Sequence, residues 1–408
     1  MGGNHRERSL PQRVALDRIL QYSSAKSFRT VLQAWASGEV MSIKAHSRRR
    51  FLAGTASAAA LTVFGTGELS GMSAFATPSK PSTGVENLIP YGAAVRSDAL
   101  AADPSYREAV IANCQMVVPE SELKWLELRP TPDEYRFEKA DAIIDFARQN
   151  GIEVRGHTLA WYGALPKWTE QIATRADAER ELTDHIETVV SRYKGAIPSW
   201  DVINEPLVDW PESAASLRPS IWARRLGADY LKIALETTAA VDADARLVLN
   251  EYDVEFSGPR FAARRKALIE LLRSLRDRGV PLHAVGLQAH LFADRAVDRD
   301  GLQSLLSEIK ALNLDVWVTE LDVIDYELPG KIGERDALVA RVASQFLETV
   351  CEVVRPKAIL TWGLSDRYTW VPIYFKRRDG MPNRPLPLDA ELKRKPLFDV
   401  IEEFRHKV

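Results

Sequence analysis

From about Asn87 to the C-terminus, short β-type runs alternate with amphipathic helical stretches eight times. The runs are Leu88–Val95, Cys114–Pro119, Glu153–Leu159, Ser199–Asn204, Arg246–Asn250, Ala284–Ala289, Asp315–Thr319 and Ala358–Trp362. Helical periodicity marks Tyr106–Asn113, Ala140–Gln149, Ala176–Tyr193, Ala228–Val241, Arg260–Arg278, Leu302–Leu312, Arg335–Val354 and Leu397–His406. The punctuation agrees. Asp103-Pro104 offers an N-cap and a first helical residue, and Arg276, Arg278 and Gly279 suit a helix C-terminus. Strands that alternate with helices build a parallel sheet covered by helices. Eight such units in about 320 residues predict an α/β fold of the (β/α)8 TIM-barrel type, whose members run from about 200 to over 400 residues. The alternative is a doubly wound open sheet. No Gly-rich dinucleotide fingerprint follows the first run, which disfavours it. No internal repeat or linker-joined second module is visible, so residues 87–408 read as one domain.

The first 76 residues do not read as fold. Ser47-Arg48-Arg49-Arg50-Phe51-Leu52 precedes a weakly apolar stretch, Ala53 to Gly65, and then Ala74-Phe75-Ala76. Paired arginines, a moderate apolar region and an A-x-A site are, in order, the parts of a cleavable twin-arginine export signal. A basic patch before a short buried helix is the bland alternative. Met41 offers an alternative start with a short basic segment before the arginines. The apolar run is rich in small residues and broken by Glu68, so it makes a poor membrane span. Residues 77–86, rich in Pro, Ser and Thr, read as a flexible tail. Cleavage after Ala76 removes ten Lys/Arg and four Asp/Glu, taking the net charge from −2 to −8. An acidic mature chain is a poor candidate for nucleic acid. Export places it in the periplasm or outside the cell, with no membrane span, and it is expected to be monomeric. Cys114 and Cys351 are too few for a disulfide framework or a cysteine zinc site and read as two buried thiols, with a bridge between them as the alternative.

In such barrels the chemistry sits at the C-terminal ends of the strands. Here those ends carry one kind of residue after another. They read Glu120-Ser121-Glu122-Leu123-Lys124-Trp125, then Gly156-His157-Thr158-Leu159-Ala160-Trp161, then Asn204-Glu205. Asn250-Glu251-Tyr252-Asp253, Gln288-Ala289-His290, Glu320-Leu321-Asp322 and Trp362-Gly363-Leu364-Ser365-Asp366 follow. Amides, imidazoles and carboxylates bond sugar hydroxyls, and indole faces stack on sugar rings. Glu205 and Glu320, each at the end of a β-type run, supply the paired carboxylates that glycosidic cleavage requires. Singly, each residue has a plainer role. His157 or His290 alone would be a core histidine, Lys124 a surface lysine, mid-strand Trp317 ordinary core. Arg264-Arg265-Lys266 and Lys393-Arg394-Lys395 read as solvated faces. No HExxH or close histidine spacing supports a metal, and no Gly-x-Ser-x-Gly elbow supports a serine hydrolase.

Five ordered motifs give the chain a specific resemblance over about residues 88–404. They are Trp200-Asp201-Val202-Ile203-Asn204-Glu205, Val318-Thr319-Glu320-Leu321-Asp322, Gly156-His157-Thr158-Leu159-Ala160-Trp161, Gly286-Leu287-Gln288-Ala289-His290 and Thr361-Trp362-Gly363-Leu364-Ser365-Asp366. Together they resemble glycoside hydrolase family 10, the retaining endo-β-1,4-xylanases. The resemblance implies a single catalytic domain that needs no cofactor and takes a β-linked, xylan-like polysaccharide or oligosaccharide. It implies Glu205 as general acid/base and Glu320 as nucleophile. Asn204 would bond the sugar or hold the nucleophile, and His290 and Asp322 would orient Glu320. Glu120, Lys124, His157 and Gln288 would bind hydroxyls, and Trp161, Trp362 and Trp370 would wall the site.

The chain also departs from that pattern. Ser121 stands where the family usually has Asn, Tyr162 where it has His, and Ala164 where it has Gln. By the same resemblance these positions grip the sugar one unit beyond the cleaved residue. Each hydrogen bond lost there is worth about 0.5–1.5 kcal/mol net. The alternatives to a linear-xylan hydrolase are therefore the same retaining chemistry on a different or decorated β-glycan, and a catalytically weak carbohydrate binder.

Overall fold

The computed structural model describes residues 88–407 apart from residue 329. The expected leader, 1–76, and tail, 77–86, lie outside the described residues. Nine strands occur in chain order among those described: β1 (Tyr91–Val95), β2 (Met116–Pro119), β3 (Glu153–Ala160), β4 (Ser199–Asn204), β5 (Arg246–Glu251), β6 (Ala284–Leu287), β7 (His290–Phe292), β8 (Asp315–Ile324) and β9 (Ile359–Thr361). The spatial order is β6-β5-β4-β3-β2-β1-β9-β8-β7, and β6 also pairs with β8. That last pairing closes the parallel sheet into an eight-stranded barrel. Strand β7 stands above it as the continuation of β6, interrupted at Gln288-Ala289, where Ala289 has a left-handed φ of 59°. It pairs with the upper part of β8, His290 opposite Asp322.

The helices are α1 (Ser97–Ala102), α2 (Pro104–Asn113), α3 (Trp125–Leu128), α4 (Glu138–Gln149), α5 (Arg175–Tyr193), α6 (Ile221–Leu226), α7 (Asp229–Val241), α8 (Pro259–Asp277), α9 (Arg299–Ala311), α10 (Ile332–Val353), α11 (Val371–Tyr374) and α12 (Pro396–His406). The expected cap at α2 forms, with the Asp103 carboxylate accepting from Tyr106 N at 3.1 Å and Pro104 as its first residue. Among the described residues, no helix is long and apolar enough to cross a membrane.

Two apolar layers hold the barrel. The larger packs the outward strand residues against the helices, for example Val117, Ile203, Leu249 and Val285 with Ile143, Val189, Leu235, Leu272 and Phe346. The smaller includes Met116, Val118, Val248, Ala284, Trp317, Leu360 and Trp362. Trp317 is buried there, as expected. Beside it lies a buried charge network. The Arg155 guanidinium sits 5.3 Å from the Trp317 ring and binds both oxygens of Asp201.

Three pairings slip in register close to the strand tops. These are β3–β4 between His157 and Ala160, β4–β5 between Asp201 and Ile203, and β8–β9 between Val318 and Leu321. Such irregularities turn a strand and re-aim the side chains above them. The first begins at His157, the second lies just below Glu205 and the third spans Glu320.

Four expectations need correction. Strand β8 runs five residues past Thr319, so Glu320 sits within a strand rather than at its end. The cause is β7, which gives the upper part of β8 a hydrogen-bonding partner. Cys114 is buried but Cys351 is half-buried; both are free, and burial pushes their thiols up to about 12 and about 11. Arg264 and Arg265 are buried, Arg264 donating to Glu251 Oε1 at 2.5 Å. Lys395 is buried too, 2.7 Å from Asp366. These three cations have dedicated acids, so they do not form solvated faces.

Candidate active site

Glu320 is almost wholly buried at the barrel mouth, and donors hold both of its oxygens. Asn250 Nδ2 donates to Oε1 at 2.6 Å, and His290 Nε2 lies 3.1 Å from Oε2. The other ring nitrogen of His290 is 3.0 Å from Asp322 Oδ1. An imidazole between two carboxylates binds best when both nitrogens carry protons. Burial works against that charge, but Asp322 and Glu320 outweigh it and hold His290 well above its usual range. Burial alone would likewise raise the Glu320 carboxyl. The His290 hydrogen bond and the His157 and His290 charges win, and it lies below the usual carboxylate range.

Asn250 is itself fixed. Its Oδ1 accepts from Thr319 Oγ1 at 2.7 Å, and its Nδ2 also donates to Asn204 Oδ1 at 2.9 Å. It needs Gly286 beside it, because a Cβ there would collide with the Asn250 side-chain oxygen. Asn204 Nδ2 then reaches Glu205 Oε1 at 3.3 Å. Thus the two glutamates are joined through the amides of Asn204 and Asn250.

Glu205 is placed differently. It follows β4 immediately, is half-buried, and has a left-handed φ of 52°. Such a conformation costs a non-glycine residue about 1–3 kcal/mol and persists only where its surroundings impose it. Three bonds do so. Glu205 N donates to Asn250 O at 2.9 Å, Arg218 N to Pro206 O at 2.7 Å, and Leu207 N to Glu251 Oε2 at 3.2 Å. Glu251 is fully buried against Arg264, and burial pushes its carboxyl up to about 7. The Glu205 carboxylate accepts from Gln288 Nε2 at 3.1 Å, beyond the weak contact with Asn204.

The other expected residues gather round this pair. His157 Nδ1 is 2.9 Å from Asp201 Oδ2 and 4.0 Å from Glu320 Oε1. Lys124 Nζ lies 5.0 Å from the Trp161 ring and 5.5 Å from the Trp362 ring. Burial lowers its ammonium, while the acids around it, Glu120 first, oppose that. Glu120, half-buried, has its carboxyl pushed up to about 7 by burial. Trp370 Nε1 donates to Asp322 Oδ2 at 2.7 Å, and the Trp370 ring meets His290 edge-on at 5.1 Å. His157, Asp201 and Glu320 bring ligand-type atoms within 4.8 Å of one another. Arg155 already occupies Asp201, and Asn250 and His290 occupy Glu320, so the trio is a hydrogen-bond network rather than a cation cage.

Asn250, Asp201, Arg155, Glu251 and Arg264 were not among the expected site residues. Asn250 and Glu251 were visible at a strand end and Asp201 within a motif; nothing marked Arg155 and Arg264 as their partners. The departures also have locations. Tyr162 stacks under Arg218, 4.5 Å from ring to guanidinium, and its buried hydroxyl has no partner. Ala164 has a left-handed φ of 47°, and its carbonyl accepts from Leu126 N at 2.8 Å.

Comparison with known proteins agrees with this geometry. Residues 83–404 match the family model described as glycosyl hydrolase family 10. The endo-1,4-β-xylanase B of Paenibacillus barcinonensis is 33% identical over 325 residues, covering 76% of this chain and 94% of that protein. The endo-1,4-β-xylanase B of Thermotoga neapolitana is 31% identical over 299 residues, 73% of this chain and 82% of that one. In three dimensions, xylanase 10B of Thermotoga petrophila, solved with xylobiose, superposes with a TM-score of 0.71 at 29% identity, covering 78% of this chain and 94% of that one. A closed parallel barrel, two barrel-mouth glutamates with unlike surroundings, and a family match spanning the whole barrel lead to one conclusion: the chain belongs to glycosyl hydrolase family 10 and is a glycoside hydrolase.

Proposed function

We propose that this chain is a retaining endo-β-1,4-xylanase in which Glu320 is the nucleophile and Glu205 the general acid/base. The observation that carries the assignment is the environment of Glu320, a buried carboxylate held below its usual range between Asn250 and His290. The Glu320 carboxylate attacks the anomeric carbon as Glu205 gives its proton to the departing glycosidic oxygen. A glycosyl ester on Glu320 and a shortened chain result. Glu205, now a carboxylate, takes a proton from water, which displaces the ester and restores both groups. Proton and nucleophile both come from the protein, so the scheme requires no cofactor. Lys124, His157, Gln288 and Glu120 bond the sugar hydroxyls, with Trp161, Trp362 and Trp370 as walls. Relatives named as endo-1,4-β-xylanases support xylan as the substrate class. Proton NMR of early product from xylo-oligosaccharides tests the scheme: the β-anomer is expected first, and the α-anomer would refute retention.

A second reading keeps the chemistry and changes the glycan. Ser121, Tyr162 and Ala164 favour it, because they remove amide and imidazole groups from the sugar-gripping pocket. A panel of linear, arabinose-decorated and glucuronate-decorated xylans separates the two. We also propose twin-arginine export of a monomeric enzyme, from Arg48, Arg49 and Ala74-Phe75-Ala76. Arg48→Lys with Arg49→Lys should leave a longer precursor in the cytoplasm; normal processing of that variant would dismiss it.

A further inference from the structure

Trp210 is 61% exposed, the most exposed large hydrophobic side chain among the described residues. It lies five residues after Glu205 in the chain, so its Cα is at most about 18 Å from that of Glu205. A lone exposed tryptophan needs no explanation. The support beneath this one does.

The segment after β4 folds back on itself. Leu207 bridges Leu217 in antiparallel fashion, and Val208 N donates to Ser216 O at 3.0 Å. Its tip is tied down, with Glu212 N on Ser216 Oγ at 3.0 Å and Ala214 N on Glu270 Oε2 at 3.2 Å. Asp209, the residue before Trp210, is gripped at both ends. Its carbonyl accepts from Arg260 Nε at 3.0 Å, and its carboxylate accepts from Tyr252 at 2.5 Å and Arg218 at 3.1 Å. A largely exposed indole is thus mounted on a well-bonded turn.

The direction of this turn follows from its neighbours. Arg218 N donates to Pro206 O, next to Glu205, at 2.7 Å, the Tyr162 ring lies 4.5 Å from the Arg218 guanidinium, and Arg218 and Tyr252 both bind the Asp209 carboxylate. The strip Tyr162–Arg218–Tyr252–Asp209–Trp210 therefore starts beside Glu205. An acid that protonates the leaving oxygen faces the leaving group, so the strip borders that half of the cleft. Two buried polar atoms along it, Tyr162 Oη and Arg218 Nε, have no hydrogen-bond partner within the protein.

We infer that Trp210 is a stacking platform for the leaving-group chain, taking the apolar face of a β-1,4-linked pyranose beyond the first sugar past the cleaved bond. The inference rests on the assignment of Glu205 as the acid. Trp210 holds a sugar beyond the first. The turn is rigid before substrate arrives, so stacking costs little ordering.

Chain-length kinetics test this. Trp210→Ala should lower kcat/KM on xylohexaose about five- to tenfold, mainly through KM, in keeping with the strength of an aromatic stack. On a nitrophenyl β-xylobioside, whose leaving group stops short of residue 210, it should change less than twofold. Trp210→Tyr should recover part of the loss. An equal fall on both substrates would mean a structural role, and no fall on xylohexaose would mean no platform; either overturns the inference. Affinity electrophoresis in gels containing soluble β-1,4-xylan reads the platform without turnover, by comparing Glu320→Ala with the Glu320→Ala, Trp210→Ala double variant. Equal mobility of the two would also overturn it. A wild type that binds xylan through Trp210 yet hydrolyses no xylo-oligosaccharide would instead sink the catalytic assignment and leave the platform standing.

Discussion

The two halves of the cleft use the same side chain in opposite ways. Around Glu320 the bonds are short and linked: Asn250, His290, Asp322, Thr319 and Trp370 form a connected set between 2.6 and 3.1 Å. Around Glu205 the bonding is longer and looser, at 3.1 and 3.3 Å, and its neighbours Tyr162 and Arg218 keep polar atoms unmatched. The precision on that side lies in the backbone instead, in a left-handed residue held by Asn250, Pro206 and the Glu251–Arg264 pair. A group that must stay charged is best served by fixed donors. A group that must hold, give and regain a proton is best served by a fixed position and few commitments.

The largest effect should come from Glu320→Ala. Without a nucleophile, turnover on any xylo-oligosaccharide should fall by about 10⁵-fold or more, in line with removal of a nucleophile elsewhere. Melting temperature and oligosaccharide binding by calorimetry should change little, since no apolar layer rests on this side chain. A mild loss would mean that the tightly bonded half is structural rather than reactive.

Glu205→Ala should be next, and its effect should depend on the leaving group. On unactivated oligosaccharides the loss should be about 10²–10⁴-fold, the usual range for a positioned acid. On dinitrophenyl substrates, which leave without protonation, glycosylation should persist and deglycosylation should stall. Azide should then speed the second step and give a β-glycosyl azide. Equal inactivity on all substrates, with no response to azide, would exchange or abolish the roles of the two halves.

His290→Asn examines the matched side more finely. It removes a charged donor from Glu320, so activity should fall about tenfold to a hundredfold, the scale of a charge-assisted hydrogen bond. The sign of the pH effect is fixed. His290 helps hold Glu320 below the usual carboxylate range, so its removal lets Glu320 keep its proton to higher pH. The acid-side fall of kcat/KM should therefore move upward in pH. A profile lowered without displacement would show that His290 only packs.

What the sequence showed and what it hid divide along physical lines. Strand-top residues were legible because alternation, length and turn signals place them: Glu205, Asn204, His157, Gln288 and His290 all reach the site. The depth of Glu320 within β8 was not, because it depends on β7 resuming after a left-handed alanine. Nor were the buried arginines. A basic triplet on an amphipathic helix has the pattern of a solvated face, and only contact with Glu251 in three dimensions shows that Arg264 braces the turn after Glu205. The register slips at His157, below Glu205 and across Glu320 have no sequence signature either.

The smallest effect concerns the three positions where the chain leaves its family, and it extends the comparison to the substrate. By the family resemblance, Ser121, Tyr162 and Ala164 belong to the pocket beyond the cleaved sugar. Tyr162 is wedged under Arg218 with an unsatisfied hydroxyl. Ala164 presents no side-chain donor at all, though its backbone is anchored by Leu126 N. Restoring amides and imidazole with Ser121→Asn, Tyr162→His and Ala164→Gln adds groups that can bond an unbranched xylose. The barrier on xylotriose should drop by about 1–2 kcal/mol if the new bonds form, while kcat/KM on decorated xylans should stay level or fall. The left-handed backbone at 164 sets a limit, since glutamine there gains no relief over alanine. Kinetics on xylotriose and on arabinose-decorated xylan decide the matter. Improvement on linear chains alone would mean that the unmatched half of the cleft is tuned to a decorated substrate; equal kinetics on both would mean that specificity is set elsewhere along the strip that ends at Trp210.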